Sequence, residues 1–443
     1  MYFKNTVLQA SVNNLLGFRP RFLLHQLWPL AALLCAAFLA APASAATLTL
    51  ACESPGIGAE LCELSAREWA KKTGHTVKMV TIPLSSSERL SLYKQLLTAE
   101  SPLVDVYMID IVWPGIMADS LLDLKAQAAA TIKDHFPAIV KNNTVDGRLI
   151  AMPWFTDAGR LYYRKDLLAK YKLPVPTTWA ELTTTARIIQ LGERKSGQRG
   201  MWGYLWQGRP YEGLTCDALE WIVSHGGGTV VDRDGTVTID NPSAIAALRM
   251  AKNWIGDISP RTVLSANEEQ TRVIFQSGNG VFLRNWGYVW SLVDAPDSPV
   301  HGKVGIAVLP RGPGGAIGTS LGGHNLAVSK FSRHPALATD LVMHLTGRAE
   351  QKRRAMLLGL SPTLSSLYQD PELIALNPYQ ETLRAAAASA TPRPSTVTGR
   401  KYELVSTEFW KMVGGVLGEG KDPASSVKSL EKTLNTMHEE GKW

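Results

Sequence analysis

Val104-Asp105-Val106-Tyr107-Met108-Ile109-Asp110-Ile111-Val112-Trp113-Pro114-Gly115 reads as a buried strand that runs straight into an aspartate and a tryptophan. At a strand end, a carboxylate accepts strong charged hydrogen bonds from vicinal hydroxyls. An indole face covers the apolar C–H side of a pyranose. A second reading of the same residues stands beside this one, with Asp110 capping the next turn and Trp113 part of the core.

Upstream of this stretch the elements alternate. Residues 47–51 read as a strand, 59–72 as a helix closed by Gly74, and 75–82 as a second strand. Ser85-Ser86-Ser87 followed by Glu88 is a capping signal for a helix to Ala99. With the strand at 104–109 the order is β-α-β-α-β, the start of a doubly wound parallel sheet. Ligands of such sheets sit beyond the carboxyl ends of the strands, where Asp110 and the loop from Glu53 to Glu60 fall.

Downstream, helices are expected at 178–182 onward, 213–225, 242–255, 268–276 and 334–345, with strands at 278–283, 304–308 and a short one at 326–328. Breakers cluster near Pro153, at Leu309 to Gly315 and at Ser361-Pro362-Thr363. These places suit crossings between two lobes, and a cleft between lobes is a favoured ligand site.

The chain's 443 residues suggest two or three compact units. Apolar and charged fractions of 45% and 19% describe an ordinary globular chain. Residues 1–45 read as a secretory signal: Arg19 and Arg21 lead an apolar run from Leu27 to Ala41, and Ala43-Ser44-Ala45 offers a small-x-small cleavage pattern. Leu34 before Cys35 argues against a lipid-anchored cysteine. Loss of this segment takes three of 46 basic residues and none of 39 acidic ones, so the net charge falls from +7 to +4. No nucleic-acid partner is expected, since Lys352-Arg353-Arg354 reads as a solvated helix face. Cys52, Cys62 and Cys216 match no metal or redox spacing; in an oxidising compartment Cys52 and Cys62 are either bridged or buried thiols.

Acids, rings and arginine cluster at several predicted loops. Glu60 lies in the first turn of a helix, where the helix dipole also favours a carboxylate. Trp154-Phe155-Thr156-Asp157 falls at the first crossing, and Arg284-Asn285-Trp286-Gly287-Tyr288-Val289-Trp290 follows a strand. Pro392-Arg393-Pro394 fixes an arginine between two rigid residues. Glu60, Asp110 and Asp157 offer the carboxylate pair of a glycoside hydrolase, yet nothing marks one as a protonated acid. His-Glu-x-x-His and phosphate-loop patterns are absent from the sequence, and no catalytic residue, metal or cofactor is expected.

In order and spacing, several pieces resemble the bacterial extracellular solute-binding proteins of ATP-driven sugar importers, nearest to the trehalose/maltose subgroup. They are Asp105 to Asp110 with Trp113, Asp157 to Leu168, Thr178 to Leu182, Trp206 to Leu214, Arg284-Asn285-Trp286, Leu321-Gly322-Gly323 and Pro392-Arg393-Pro394. The resemblance implies an α/β, two-lobed periplasmic-binding-protein fold of type II, each lobe a sheet flanked by helices and closed by hinge bending. Lobe segments of 46–154 and 311–362 for the first, 155–310 and 363–443 for the second, are expected. It also implies a periplasmic monomer that delivers a disaccharide to membrane permease subunits. By this likeness Glu60, Asp110, Asp157 and Arg393 bond sugar hydroxyls, Phe155 and Trp286 stack on the rings, and Gly322 with Gly323 presents backbone groups. Trp113, Glu212, Tyr288 and His324 complete the expected site. Relatives carry tyrosine at position 155 and tryptophan at 324, so Phe155 and His324 leave the identity of the sugar open. A polyol or polyamine ligand on the same fold is the alternative, and a secreted glycoside hydrolase a more distant one.

Overall fold

The computed structural model describes residues 45–52, 57–83, 85–376, 379, 390–441 and 443. Apart from Ala45, the expected signal segment lies outside the described residues, as do residues 53–56 of the first loop.

Nine strands build two sheets: β1 (Thr47–Ala51), β2 (Thr76–Met79), β3 (Val106–Asp110), β4 (Met152–Ala158), β5 (Arg160–Arg164), β6 (Trp202–Leu205), β7 (Gly280–Asn285), β8 (Val304–Ala307) and β9 (Leu321–Val328). The first sheet has the order β2-β1-β3-β9-β4 and the second β8-β5-β7-β6. In the first, β1 pairs in parallel with β2 and β3, as the β-α-β-α-β reading expects. All five residues of β3 are buried, which explains its unbroken apolar run.

The connecting helices carry their own start and stop signals. In α1 (Ile57–Thr73), Glu60 lies in the first turn and Lys71 and Lys72 in the last, each complementing the helix dipole. Gly74 ends it at φ +75°, a conformation that glycine adopts without strain. For α2 (Ser86–Thr98), the Ser85 side chain accepts the Glu88 N–H at 3.4 Å. The helix α3 (Trp179–Lys195) opens with a full capping box between Thr178 and Glu181.

Two hydrophobic cores result. One gathers Leu48, Leu50, Val106, Met108, Trp154, Leu326 and Leu341 around the first sheet. The other gathers Leu161, Tyr204, Trp206, Trp221, Trp254 and Leu283 with Phe409 and Val413. Its helices include α4 (Glu212–Ser224), α5 (Pro242–Trp254) and α8 (Tyr402–Gly418), while α6 (Pro335–Leu345) and α7 (Arg348–Leu358) lie on the first lobe.

The strand ends differ from the lobe limits expected at the breaker residues. β4 continues past Pro153 to Ala158, and β5 of the other sheet begins at Arg160. Pro153 is tolerated because β4 is the outer strand of its sheet, where a missing N–H costs no ladder bond. Arg311 still pairs with Thr178 of the second lobe. Thr363 stays with the first lobe, its N–H donating to Gln351 Oε1 at 2.7 Å.

β9 is longer than the three-residue strand expected at 326–328. It begins at Leu321, takes in Gly322 and Gly323, and inserts antiparallel between β3 and β4. A Cβ on Gly323 would stand 2.4 Å from the Phe155 carbonyl oxygen, and its φ is +123°. Here glycine marks close backbone approach rather than an end of the strand.

Cys52, at the end of β1, and Cys62, in α1, form a disulfide, while Cys216 is a buried free thiol. The bridge links residues 10 positions apart in sequence. By chain-entropy arguments, Cys62→Ser is expected to lower the unfolding free energy by about 2–3 kcal/mol. Urea melts of oxidised protein and variant check this, and coincident midpoints would refute it.

Candidate ligand-binding cleft

Sheet register assembles the centre of the site. On β9, His324 stands opposite Asp110 of β3 on one side and opposite Phe155 of β4 on the other. The Phe155 and His324 rings lie 5.2 Å apart. Arg89, from α2, brings its Nη1 to 3.4 Å from His324 Nε2. Because arginine only donates, Nε2 accepts and the ring proton resides on Nδ1.

Arg393 closes the centre from the last crossing. Its Nη2 donates to Asp110 Oδ1 at 3.0 Å and its Nη1 to Glu212 Oε1 at 2.6 Å. One guanidinium therefore joins a carboxylate of the first lobe to one at the start of α4 in the second. Tyr402 and Ser406 of α8 also donate to Glu212. Burial pushes the Asp110 carboxyl up, but Arg393, the Val112 N–H and Arg89 together hold it below the usual carboxylate value. Asp110 thus both caps the turn through Val112 N–H and faces the arginine, so the two sequence readings describe one residue.

The rings divide differently. Trp286 is half-buried and lies against β9: a Cβ on Gly322 would meet its indole at 2.7 Å. Tyr288 and Phe155 pack on a small cluster of Leu61, Leu358 and Leu360. Trp113, 2% exposed, belongs to the first core and meets Tyr93 edge-on at 5.9 Å. Trp290 packs against the second core.

Asp157 sits behind the cleft centre. Its carboxylate accepts from Arg160 at 2.7 Å, from its neighbour Ala158 N–H at 2.8 Å and from Gly287 N–H at 2.9 Å. That places it under the turn that carries Trp286. Glu60 is exposed on the first turn of α1. The register thus brings together Asp110, Phe155, His324, Gly322 and Gly323, and side-chain contacts add Arg393, Glu212, Trp286 and Tyr288. Tyr402 and Ser406 escaped the sequence reading because they lie on the core face of an ordinary amphipathic helix. Arg89 carried one signal, its place one residue after Glu88 in the first turn of α2.

Two histidines make the protein acid-sensitive. Burial pushes His324 down to about 3 from the ordinary 6.5, with Asp110 opposing and Arg89, Arg393 and Arg354 assisting. Burial likewise pushes His135 down to about 4, against Asp134. Both rings stay neutral in the folded state while the unfolded chain takes up protons near 6.5. Stability is therefore expected to fall as pH drops from about 6.5 toward 4. The double variant His135→Gln/His324→Gln should flatten that slope in melting temperature against pH; an unaltered slope would sink the assignment.

Among the described residues, Glu68, His344 and Glu350 could converge on a metal ion. Arg353 already donates to both of these acids, which supplies the positive charge from within the protein.

Two α/β lobes joined at Gly159 and near Ser320, with acids, an arginine and rings converging between them, define a hinged ligand-binding protein. The profile of bacterial extracellular solute-binding proteins matches residues 57–352, and the chain belongs to that family. A probable ABC transporter-binding protein of Deinococcus radiodurans is 50% identical over 397 residues, which covers 89% of this chain and 94% of that one. The maltose-bound structure of T. maritima MalE3 aligns with a TM-score of 0.84 at 37% identity, over 89% of this chain and all of that one. The GacH receptor of Streptomyces glaucescens, 24% identical with a TM-score of 0.78 over 89% and 98% of the two chains, shares the two-lobed fold. No helix among the described residues is long and apolar enough to cross a membrane.

Proposed function

We propose that this chain is the periplasmic sugar-binding component of an ABC importer, holding a carbohydrate of disaccharide size between its lobes and delivering it to the permease. The observation that carries this reading is the junction of Asp110, Arg393 and Glu212 across the two lobes, flanked by the Trp286, Phe155 and Tyr288 rings. Ionised acids and an arginine suit hydroxyl recognition, and flat rings suit pyranose faces. The likeness to maltose-bound T. maritima MalE3 supports the same ligand class.

In this mechanism, each lobe supplies groups to one site between them. Sugar hydroxyls add their bonds to Asp110, Glu212 and Arg393, and the closed state gains affinity that the open state lacks. A ligand shifts a two-state equilibrium only through such differential affinity. Trp286 stacks on one ring, Gly322 and Gly323 present backbone groups, and Glu60 contributes at the cleft mouth. Asp157 acts on the ligand by holding the Trp286 turn through Gly287, and His324 with Phe155 sets which sugar fits. No bond is made or broken in the solute.

Intrinsic tryptophan fluorescence of the mature protein, titrated with maltose, trehalose, sucrose and a polyamine, tests the reading. A saturable change with one disaccharide is the expected result. A response to the polyamine with none to any sugar would overturn it, and release of glucose from maltose would move the protein into the hydrolases.

A further inference from the structure

Arg284 is fully buried in the second lobe, and its guanidinium faces several groups at once. Its Nε and Nη2 donate to the two oxygens of Glu220 at 2.9 and 2.6 Å, and its Nη1 donates to Gln207 Oε1 at 3.0 Å. Asp217 stands 3.0 Å away as a second counter-charge. The flat cation also lies 4.1 Å from the centre of the Trp286 ring. A guanidinium held by a bidentate carboxylate fork and stacked on an indole is a stiff support, because its plane is set by both contacts.

The same carboxylate reaches the crossings between lobes. Ser320, the residue before β9, donates its N–H to Glu220 Oε1 at 3.0 Å. At the other crossing, Gly159 lies so close that a Cβ there would stand 2.0 Å from Glu220 Oε1 and 2.8 Å from Arg284 Nη2. Gly318, just ahead of Ser320, packs on the Glu220 backbone, where an added Cβ would stand 2.2 Å from its carbonyl oxygen. The passages at Gly159 and at Ser320 therefore touch one buried acid, whose arginine touches the cleft tryptophan.

We infer that Glu220 and Arg284 are positioning residues that couple the pose of Trp286 to the hinge at Gly159 and Ser320. Rotation about these two crossings either carries Glu220 along or breaks its bond to Ser320. Where Glu220 is carried along, the guanidinium it holds beneath Trp286 shifts with it, so ring and lobe angle change together. This rests on the reading that Trp286 stacks on the ligand. The coupling itself is a property of the protein without ligand.

The experiment compares wild type with Glu220→Gln, Arg284→Lys and Gly159→Ala, and with Val413→Ala, a cavity elsewhere in the same core on another helix. Hydrogen exchange of the ligand-free proteins is followed in segments 157–163, 283–290 and 318–324. Glu220→Gln and Arg284→Lys are expected to accelerate all three segments together by tenfold or more, and Val413→Ala to leave their relative rates unchanged. In the maltose arm the same variants are expected to bind at least tenfold more weakly and to compact less on saturation, read as radius of gyration by X-ray scattering. Acceleration confined to the segment nearest each substitution, or wild-type affinity with full compaction in a folded variant, would overturn the coupling. If Gly159→Ala fails to fold, the other two variants decide. If wild type ignores maltose, the sugar reading fails while the exchange arm still decides the coupling.

Discussion

Replacing Arg393 with alanine is expected to lower the unfolding free energy by about 3–5 kcal/mol, because a buried ion pair that loses one partner leaves an uncompensated charge. Here two carboxylates lose the same partner. Asp110 and Glu212 both bond to Arg393, which is 3% exposed, and Tyr402 and Ser406 satisfy Glu212 only in part. The cost therefore comes from stranded acids rather than from a lost attraction. That distinction is measurable: Arg393→Ala/Asp110→Asn/Glu212→Gln should recover most of the loss in urea melts. A single variant within about 1 kcal/mol of wild type would show that water reaches the acids and that the junction contributes little. Pro392 and Pro394 bracket the arginine, so its backbone enters the cleft with little freedom to relax.

Trp286→Ala is expected to weaken ligand binding by about 2–4 kcal/mol, roughly 30- to 1000-fold, as for other buried aromatic anchors. The fold should survive, since the indole is half-buried and rests on the glycine backbone of β9 rather than in either core. Isothermal titration with whichever disaccharide quenches wild-type fluorescence measures the effect. Unchanged affinity would assign Trp286 to lobe packing and leave Tyr288 and Phe155 as the stacking surface.

The contrast between Trp113 and Trp286 shows how far a linear reading reaches. Both follow a strand and stand near an acid or arginine in sequence, so both look like sugar platforms. In three dimensions Trp113 turns into the first core against Tyr93, while Trp286 lies on Gly322. A similar limit applies to Asp157, which looks like a free cleft acid until its bond to Gly287, 130 residues away, is seen. The Cys52–Cys62 bridge was one of two open readings, and spacing alone does not choose between them.

What the sequence by itself determined is local: the β-α-β-α-β start, the cap of α2, the buried character of β3 and the position of Asp110 at its carboxyl end. These follow from apolar period and capping chemistry within a few residues, which any chain with that pattern obeys. Only the tertiary structure decided that β9 threads between β3 and β4, that Arg393 reaches two acids from different lobes, and that Glu220 touches the crossings at Gly159 and Ser320. Such contacts join residues about sixty or more positions apart, and each exists because packing and charge balance over the whole molecule select it. No short stretch of the sequence holds that sum.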